Sequence, residues 1–215
     1  MPGYYPVSLD LKGERCVIIG GGKVAERKVT SLVNAKAIIT VVSPDLTKSL
    51  RQMVKRKKIK YINDYFDKRY LDKAFLVIGA TNNAKINHYV FEAAAKENKL
   101  VNVVDSPDKC NFLIPSVMKQ GDLLISISTG GKSPALAKKI RKQLENQFGK
   151  AYRDFLSLMG ALRHKVLAQF PDSKYRNKIF QAMVDSELLD LLEKGQKQKA
   201  KKKAEKIINL FSQRR

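Results

Sequence analysis

Gly20-Gly21-Gly22-Lys23-Val24-Ala25 carries the spacing G-x-G-x-x-G/A. It directly follows an apolar run, Arg15 to Ile19, and opens a stretch of helical periodicity from Val24 to Asn34. In that context the motif has a mechanism. The first glycine permits a tight turn, Gly22 lets backbone approach a pyrophosphate, and Ala25 is small enough for close helix–strand packing. The helix N-terminus then offers free N–H groups and a positive dipole end to the phosphates. A glycine turn without a ligand is the bland reading, and the flanking strand and helix weigh against it. Gly20, Gly21, Gly22, Lys23 and Val24 are therefore candidate dinucleotide contacts. An NAD site wants an acidic residue on the ribose hydroxyls about 20 positions on. There the chain reads Val42-Ser43-Pro44-Asp45, with Ser43 in the usual place and Asp45 two residues later. No arginine stands there for a 2′-phosphate, although Lys48 and Arg51 are near, so NAD is favoured over NADP. Gly79-Ala80-Thr81-Asn82-Asn83 closes another apolar run. Thr81 and Asn82 are placed to touch the nucleotide, and Asn82 would also cap the following helix.

The elements that must position these residues alternate. Arg15–Ile19, Ala37–Val42, Ile59–Ile62, Phe75–Ala80 and Leu100–Val104 read as strands, with helices near 24–34, 46–55 and 84–97 between them. Continuous apolar runs separated by helices predict a parallel sheet covered on both faces, a doubly wound α/β Rossmann fold. Beyond Asn111 the pattern changes. Phe112–Met118 and Leu123–Ser128 read as a β-hairpin joined by Lys119-Gln120-Gly121-Asp122. Ser133 and Pro134 signal the start of a helix running to Phe148. Further helices are expected near 150–169, 173–184 and 186–194, then a Lys-rich helical tail from Lys197. The expected domains are 1–111, 112–148 and an all-helical 149–215.

The 215 residues carry a net charge of +22. That balance points to a polyanionic partner or to many solvated lysines. The N-terminus lacks the basic and apolar regions of a secretory signal, and no apolar run is long enough for a bilayer, so a cytoplasmic protein without a membrane partner is expected. Cys16 and Cys110 read as free thiols. No Cys/His cluster suggests a metal site.

Four blocks are similar to one family. YYPVSLDLKGERCVIIGGGKVAERK, the ATNN segment, NVVDSPDKCNFLIPS and ISTGGKSPALAKKIR resemble precorrin-2 dehydrogenases and the corresponding module of sirohaem synthases. The blocks stand in the family's order and cover about Tyr4 to Glu145. The resemblance implies NAD-dependent oxidation of precorrin-2 to sirohydrochlorin. It also implies a homodimer, whose dimerisation region is the hairpin and following helices, and a small helical domain. Some members insert ferrous iron to give sirohaem, so Fe2+ is a further substrate to consider. With the chain ending at Arg215, the methyltransferase module of larger relatives is expected on another protein.

By the same resemblance Asp105 matches the aspartate that the family uses after its fifth strand. Asp-Ser-Pro alone reads as a turn aspartate before Pro107; the family match makes Asp105 the candidate general base for a pyrrole proton. Its presence keeps a chelatase activity open, while His88 and His164 match no catalytic histidine. Thr129 matches a position that is a phosphorylatable serine in some relatives. The turn Gly130-Gly131-Lys132-Ser133-Pro134 stands at a helix N-terminus, and exposed N–H groups there would suit a substrate carboxylate. Thr129, Gly130, Lys132 and Ser133 are the candidate substrate contacts. A basic cleft would speed encounter with a polycarboxylate. Two rivals rank lower. A NAD-sensing regulatory Rossmann module without catalysis would need neither Asp105 nor the second half. A nucleic-acid binder would use VKRKKIK and the tail, but few aromatics are interleaved there.

Overall fold

Five short apolar runs line up as one parallel sheet. In the computed structural model, which describes residues 3–213, these are β1 (Arg15–Ile19), β2 (Ile38–Val42), β3 (Lys60–Ile62), β4 (Leu76–Gly79) and β5 (Leu100–Val103), in the order β3-β2-β1-β4-β5. Residues 1, 2, 214 and 215, which the expected outer domains include, lie outside the described residues. The helices α1 (Lys23–Asn34), α2 (Lys48–Lys55) and α3 (Ala84–Lys96) connect strands. Alternation along β1 feeds two cores. Cys16 and Ile18 join Val29, Leu32 and Leu50 on one face. Val17 and Ile19 join Leu71, Val77 and Val90 on the other. A strand segment buried on both faces has to be apolar, which is why Cys16 to Ile19 is a continuous apolar run while the exposed first residue is Arg15. This is the expected doubly wound Rossmann arrangement.

The free edge of β5 is covered by the chain itself. The side chain of Asn111 imitates a neighbouring strand: Val101 N–H donates to its Oδ1 at 2.8 Å, and its Nδ2 donates to the Lys99 carbonyl at 2.7 Å. Val103 N–H donates to Cys110 Sγ at 3.3 Å. Asn102 Nδ2 donates to the Phe112 carbonyl at 3.1 Å. An edge whose backbone groups are satisfied cannot recruit another strand.

This first compact unit ends at Ile114, and a second begins at Pro115. In the second, β6 (Ser116–Gln120) pairs antiparallel with β7 (Leu123–Ile127). The hairpin differs from expectation in two ways. Its first strand starts at Ser116, not Phe112, because Phe112 packs against the first unit's core and Pro115 has no N–H to give a ladder. Its loop is only Gly121-Asp122, since Gln120 pairs with Leu123 and Gly121, at φ +63°, makes the tight turn. Then follow α4 (Pro134–Gln147), α5 (Lys150–Gln169), α6 (Ser173–Val184), α7 (Leu188–Glu193) and α8 (Lys197–Gln213). The last four bury Leu162, Val166, Ile179, Met183, Leu188 and Ile208 in a helical core. Among the described residues no helix is long and apolar enough to cross a membrane.

Candidate functional site

The glycine loop joins β1 to α1, and each glycine meets a different constraint. Gly20 has φ +116°, and a Cβ there would sit 2.3 Å from the Ala80 carbonyl oxygen. At Gly21 a Cβ would lie 1.9 Å from the Asp45 carbonyl oxygen. Thr47 N–H also donates to the Gly21 carbonyl at 3.0 Å, so this glycine ties the loop to the start of α2. At Gly22 nothing stands within 4 Å. Gly22 is the N-cap of α1 and no side chain caps the helix. The first intrahelical bond runs from Glu26 N–H to the Gly22 carbonyl. The N–H groups of Lys23, Val24 and Ala25 therefore have no intrahelical acceptor, in front of open space. That geometry fits a pyrophosphate.

A cleft opens at the carboxyl ends of the strands. Its walls include Gly20, Gly22, Ser43, Pro44, Thr81 and Asn82. Gly21, Lys23, Val24 and Asp45 are not among its lining residues. Asp45 lines a neighbouring hollow with Arg51 and Tyr61. The Ser43-Pro44 turn is held by the sheet: Ser43 N–H donates to the Ile62 carbonyl at 3.2 Å, and the Tyr61 hydroxyl lies 3.0 Å from the Ser43 carbonyl oxygen and 3.2 Å from that of Pro44. On the β4 side, the buried Asn87 of α3 grips Thr81 like a peptide group. Its Nδ2 donates to the Thr81 carbonyl at 3.0 Å and its Oδ1 accepts the Thr81 N–H at 3.2 Å. Asn82 does not cap α3. Asn83 does, its Oδ1 accepting from Lys85 and Ile86 N–H, because the cap must precede the first helical residue, Ala84. Asn82 is thereby left to line the cleft.

Three lining residues had no motif to announce them: Asp64, Tyr65 and Phe66, in the loop after β3. The Asp64 carboxylate accepts a short hydrogen bond from the Tyr70 hydroxyl, one from Tyr65 N–H at 2.7 Å, and one from Arg69 at 3.5 Å. The Tyr70 hydroxyl first, and then the Tyr65 N–H, hold its pKa below the ordinary carboxylate value. Register explains its position. Val42 pairs with Ile62 across β2 and β3, so Asp64 emerges two residues past the ladder, beside Ser43 and Pro44.

Asp105 follows β5 at φ +60° on the same edge of the sheet as the glycine loop. The expected turn-capping bond is not made: Ser106 precedes the 3-10 turn Pro107–Lys109, and among the described residues the Asp105 carboxylate accepts no hydrogen bond. It is exposed and near Lys28 of α1. Burial first, and Arg27 second, lower the Lys28 pKa, while Asp105 and Cys110 oppose that fall. In the second unit, the turn before α4 is internally bonded. Ser133 N–H donates to Thr129 Oγ1 at 3.1 Å, Lys132 N–H donates to the Thr129 carbonyl at 3.1 Å, and the Ser133 hydroxyl caps α4 by accepting from Leu136 N–H. Gly130 and Gly131 both have positive φ, and Gly130 and Lys132 are exposed. Among the described residues no three His, Cys, Asp or Glu side chains cluster as a metal site.

Comparison with known proteins places this geometry in a family. An NAD(P)-binding family model matches residues 7–116. The sirohaem biosynthesis protein central region matches 120–147, and the sirohaem synthase dimerisation region matches 151–208. The siroheme synthase of Vesicomyosocius okutanii is 34% identical over 206 residues, covering 96% of this chain and 44% of its own length. That of Photorhabdus laumondii is 35% identical over 205 residues, covering 95% of this chain and 44% of its own. The chain thus spans less than half the length of these relatives. The solved structure of SirC, a precorrin-2 dehydrogenase, superposes with a TM-score of 0.79 at 25% identity, over 94% of this chain and all of that one. The chain belongs to the sirohaem synthase family, of which it carries the NAD(P)-binding, central and dimerisation regions.

Proposed function

We propose that this chain is a cytoplasmic, homodimeric, NAD-dependent dehydrogenase that oxidises precorrin-2 to sirohydrochlorin. The observation that carries the proposal is Asp105: an exposed carboxylate, without a hydrogen bond among the described residues, on the same sheet edge as an uncapped glycine-loop helix. The name of the superposed structure and the names of the siroheme synthases support the same reading.

Bound in the cleft, a nicotinamide supplies the hydride acceptor. Everything else falls to the chain's own groups. Gly20, Gly21 and Gly22 bring backbone to the pyrophosphate, with the N–H groups of Lys23 and Val24 donating to it. Ser43 and Pro44 form the ribose side, with Asp45 behind them in the neighbouring hollow, and Thr81 and Asn82 complete the wall. As hydride leaves the tetrapyrrole, the Asp105 carboxylate takes the pyrrole N–H proton. At the turn of Thr129, Gly130, Lys132 and Ser133 the exposed Lys132 ammonium meets a substrate carboxylate, since the N–H groups of Gly130, Lys132 and Ser133 donate within the turn and shape it. The chain divides for this purpose at 112 and 149, with the matched central region in the middle part and the matched dimerisation region in the last. The same carboxylate would take N–H protons during insertion of ferrous iron.

The test is anaerobic turnover of precorrin-2 with NAD by the unaltered protein and by Asp105→Asn. The substitution is expected to lower kcat about 100-fold or more, the usual worth of a general base, with NADH affinity unchanged. Near-normal turnover would remove Asp105 from the chemistry. Parallel assays with ferrous iron read the chelatase arm.

A further inference from the structure

We infer that Asp64, from the loop after β3, sets the preference of the cleft for a dinucleotide whose adenosine ribose is unphosphorylated. The inference rests on the reading that the cleft takes a nicotinamide dinucleotide. In this fold the choice between NAD and NADP is made beside the end of the second strand, where an acidic residue accepts from the ribose diol or an arginine donates to a 2′-phosphate. Here that position is Ser43, a neutral residue whose backbone is spent on the sheet. Asp45 lines the neighbouring hollow instead. The acidic group at this point comes from the next strand over: Asp64 stands beside the Ser43-Pro44 turn and is, among the described residues, the one charged residue in the cleft's lining.

The carboxylate is fixed rather than wandering. Tyr70 and Arg69 engage Oδ2, while Oδ1 accepts a single N–H from Tyr65. A carboxylate oxygen has two lone-pair sites, so Oδ1 can accept once more, from a ribose hydroxyl. Arg69 does not cancel this charge, because it is shared with Asp67 at 3.7 Å. One guanidinium is thus divided between two carboxylates, of which Asp64 lines the cleft. A 2′-phosphate offers this carboxylate like charge and no neutral diol, so it is repelled. With Asp64 uncharged, Arg69 keeps the Asp67 carboxylate and the neutral Tyr70 hydroxyl as partners and has charge to offer a phosphate.

The experiment titrates NADH and NADPH by fluorescence against the unaltered chain, Asp64→Asn and Arg69→Gln, with thermal unfolding to confirm that each variant is folded. The unaltered chain is expected to prefer NADH. Asp64→Asn is expected to shift the ratio of the two Kd values toward NADPH by about tenfold or more. Arg69→Gln should keep the NADH preference or widen it. An unchanged ratio in folded Asp64→Asn overturns the assignment while leaving the dinucleotide reading intact, and so does loss of the preference in Arg69→Gln. If the unaltered chain binds neither nucleotide, the dinucleotide reading falls and this assignment with it.

Discussion

Two loops line the same cleft by opposite means. The loop after β1 works by having no side chains: Gly20 and Gly21 lie closer to the backbone of Ala80 and Asp45 than any Cβ permits, and Gly22 leaves the helix terminus bare. The loop after β3 works by fixing side chains, with Tyr70, Arg69 and a backbone N–H converging on one carboxylate. The first recognises a feature that every dinucleotide shares. The second can tell one dinucleotide from another. Binding and selectivity are thereby carried by separate stretches of chain, which allows them to be broken separately.

Gly21→Val gives the largest expected effect. The added side chain meets the Asp45 backbone, which has no flexible end to yield. Stability should fall by about 3 kcal/mol, seen in denaturant unfolding, and NADH binding should be lost with it. Gly22→Val sharpens the comparison, because the space there is open. It should keep the thermal midpoint within about 4 °C while weakening NADH and NADPH alike by about tenfold, through lost hydrogen bonds to phosphate. A ratio of the two affinities that moved with Gly22→Val would erase the division of labour. Tyr70→Phe is the mildest. It loosens Asp64 without removing its charge, and should move the ratio by about threefold toward NADPH with no change in unfolding.

The glycine loop was legible in the sequence because its strand, turn and helix are contiguous, so local periodicity carries the whole signal. The same holds for Ser133 and Pro134 at the start of α4, where cap and first helical residue are adjacent. What stayed hidden depends on register or on distant backbone. Asp64 reaches the cleft only because Val42 pairs with Ile62, and the segment around it has no distinctive spacing. Asn87 and Asn111 look like ordinary helix and loop residues, yet each imitates a peptide group for backbone in another element, at Thr81 and Val101. Phe112 is apolar and β-prone, so it read as strand; its burial against the first unit's core, and the proline three residues later, decide otherwise. Asn82 and Asn83 are chemically identical, and only the position of Ala84 as first helical residue assigns the cap to the second.

The covering of β5 gives the chain a built-in reporter. The Cys110 sulfur meets the Val103 N–H and carbonyl and the Ser106 carbonyl, and burial first of all raises its pKa above the ordinary thiol value. Such a thiol is a poor nucleophile until the segment lifts away. Its rate of alkylation therefore measures how often the sheet's last edge opens, a few residues from Asp105, in the way that amide exchange measures local unfolding. Anything that clamps the end of β5 should slow that labelling, so a single cysteine reads the opening and closing of the strand that carries the proposed base.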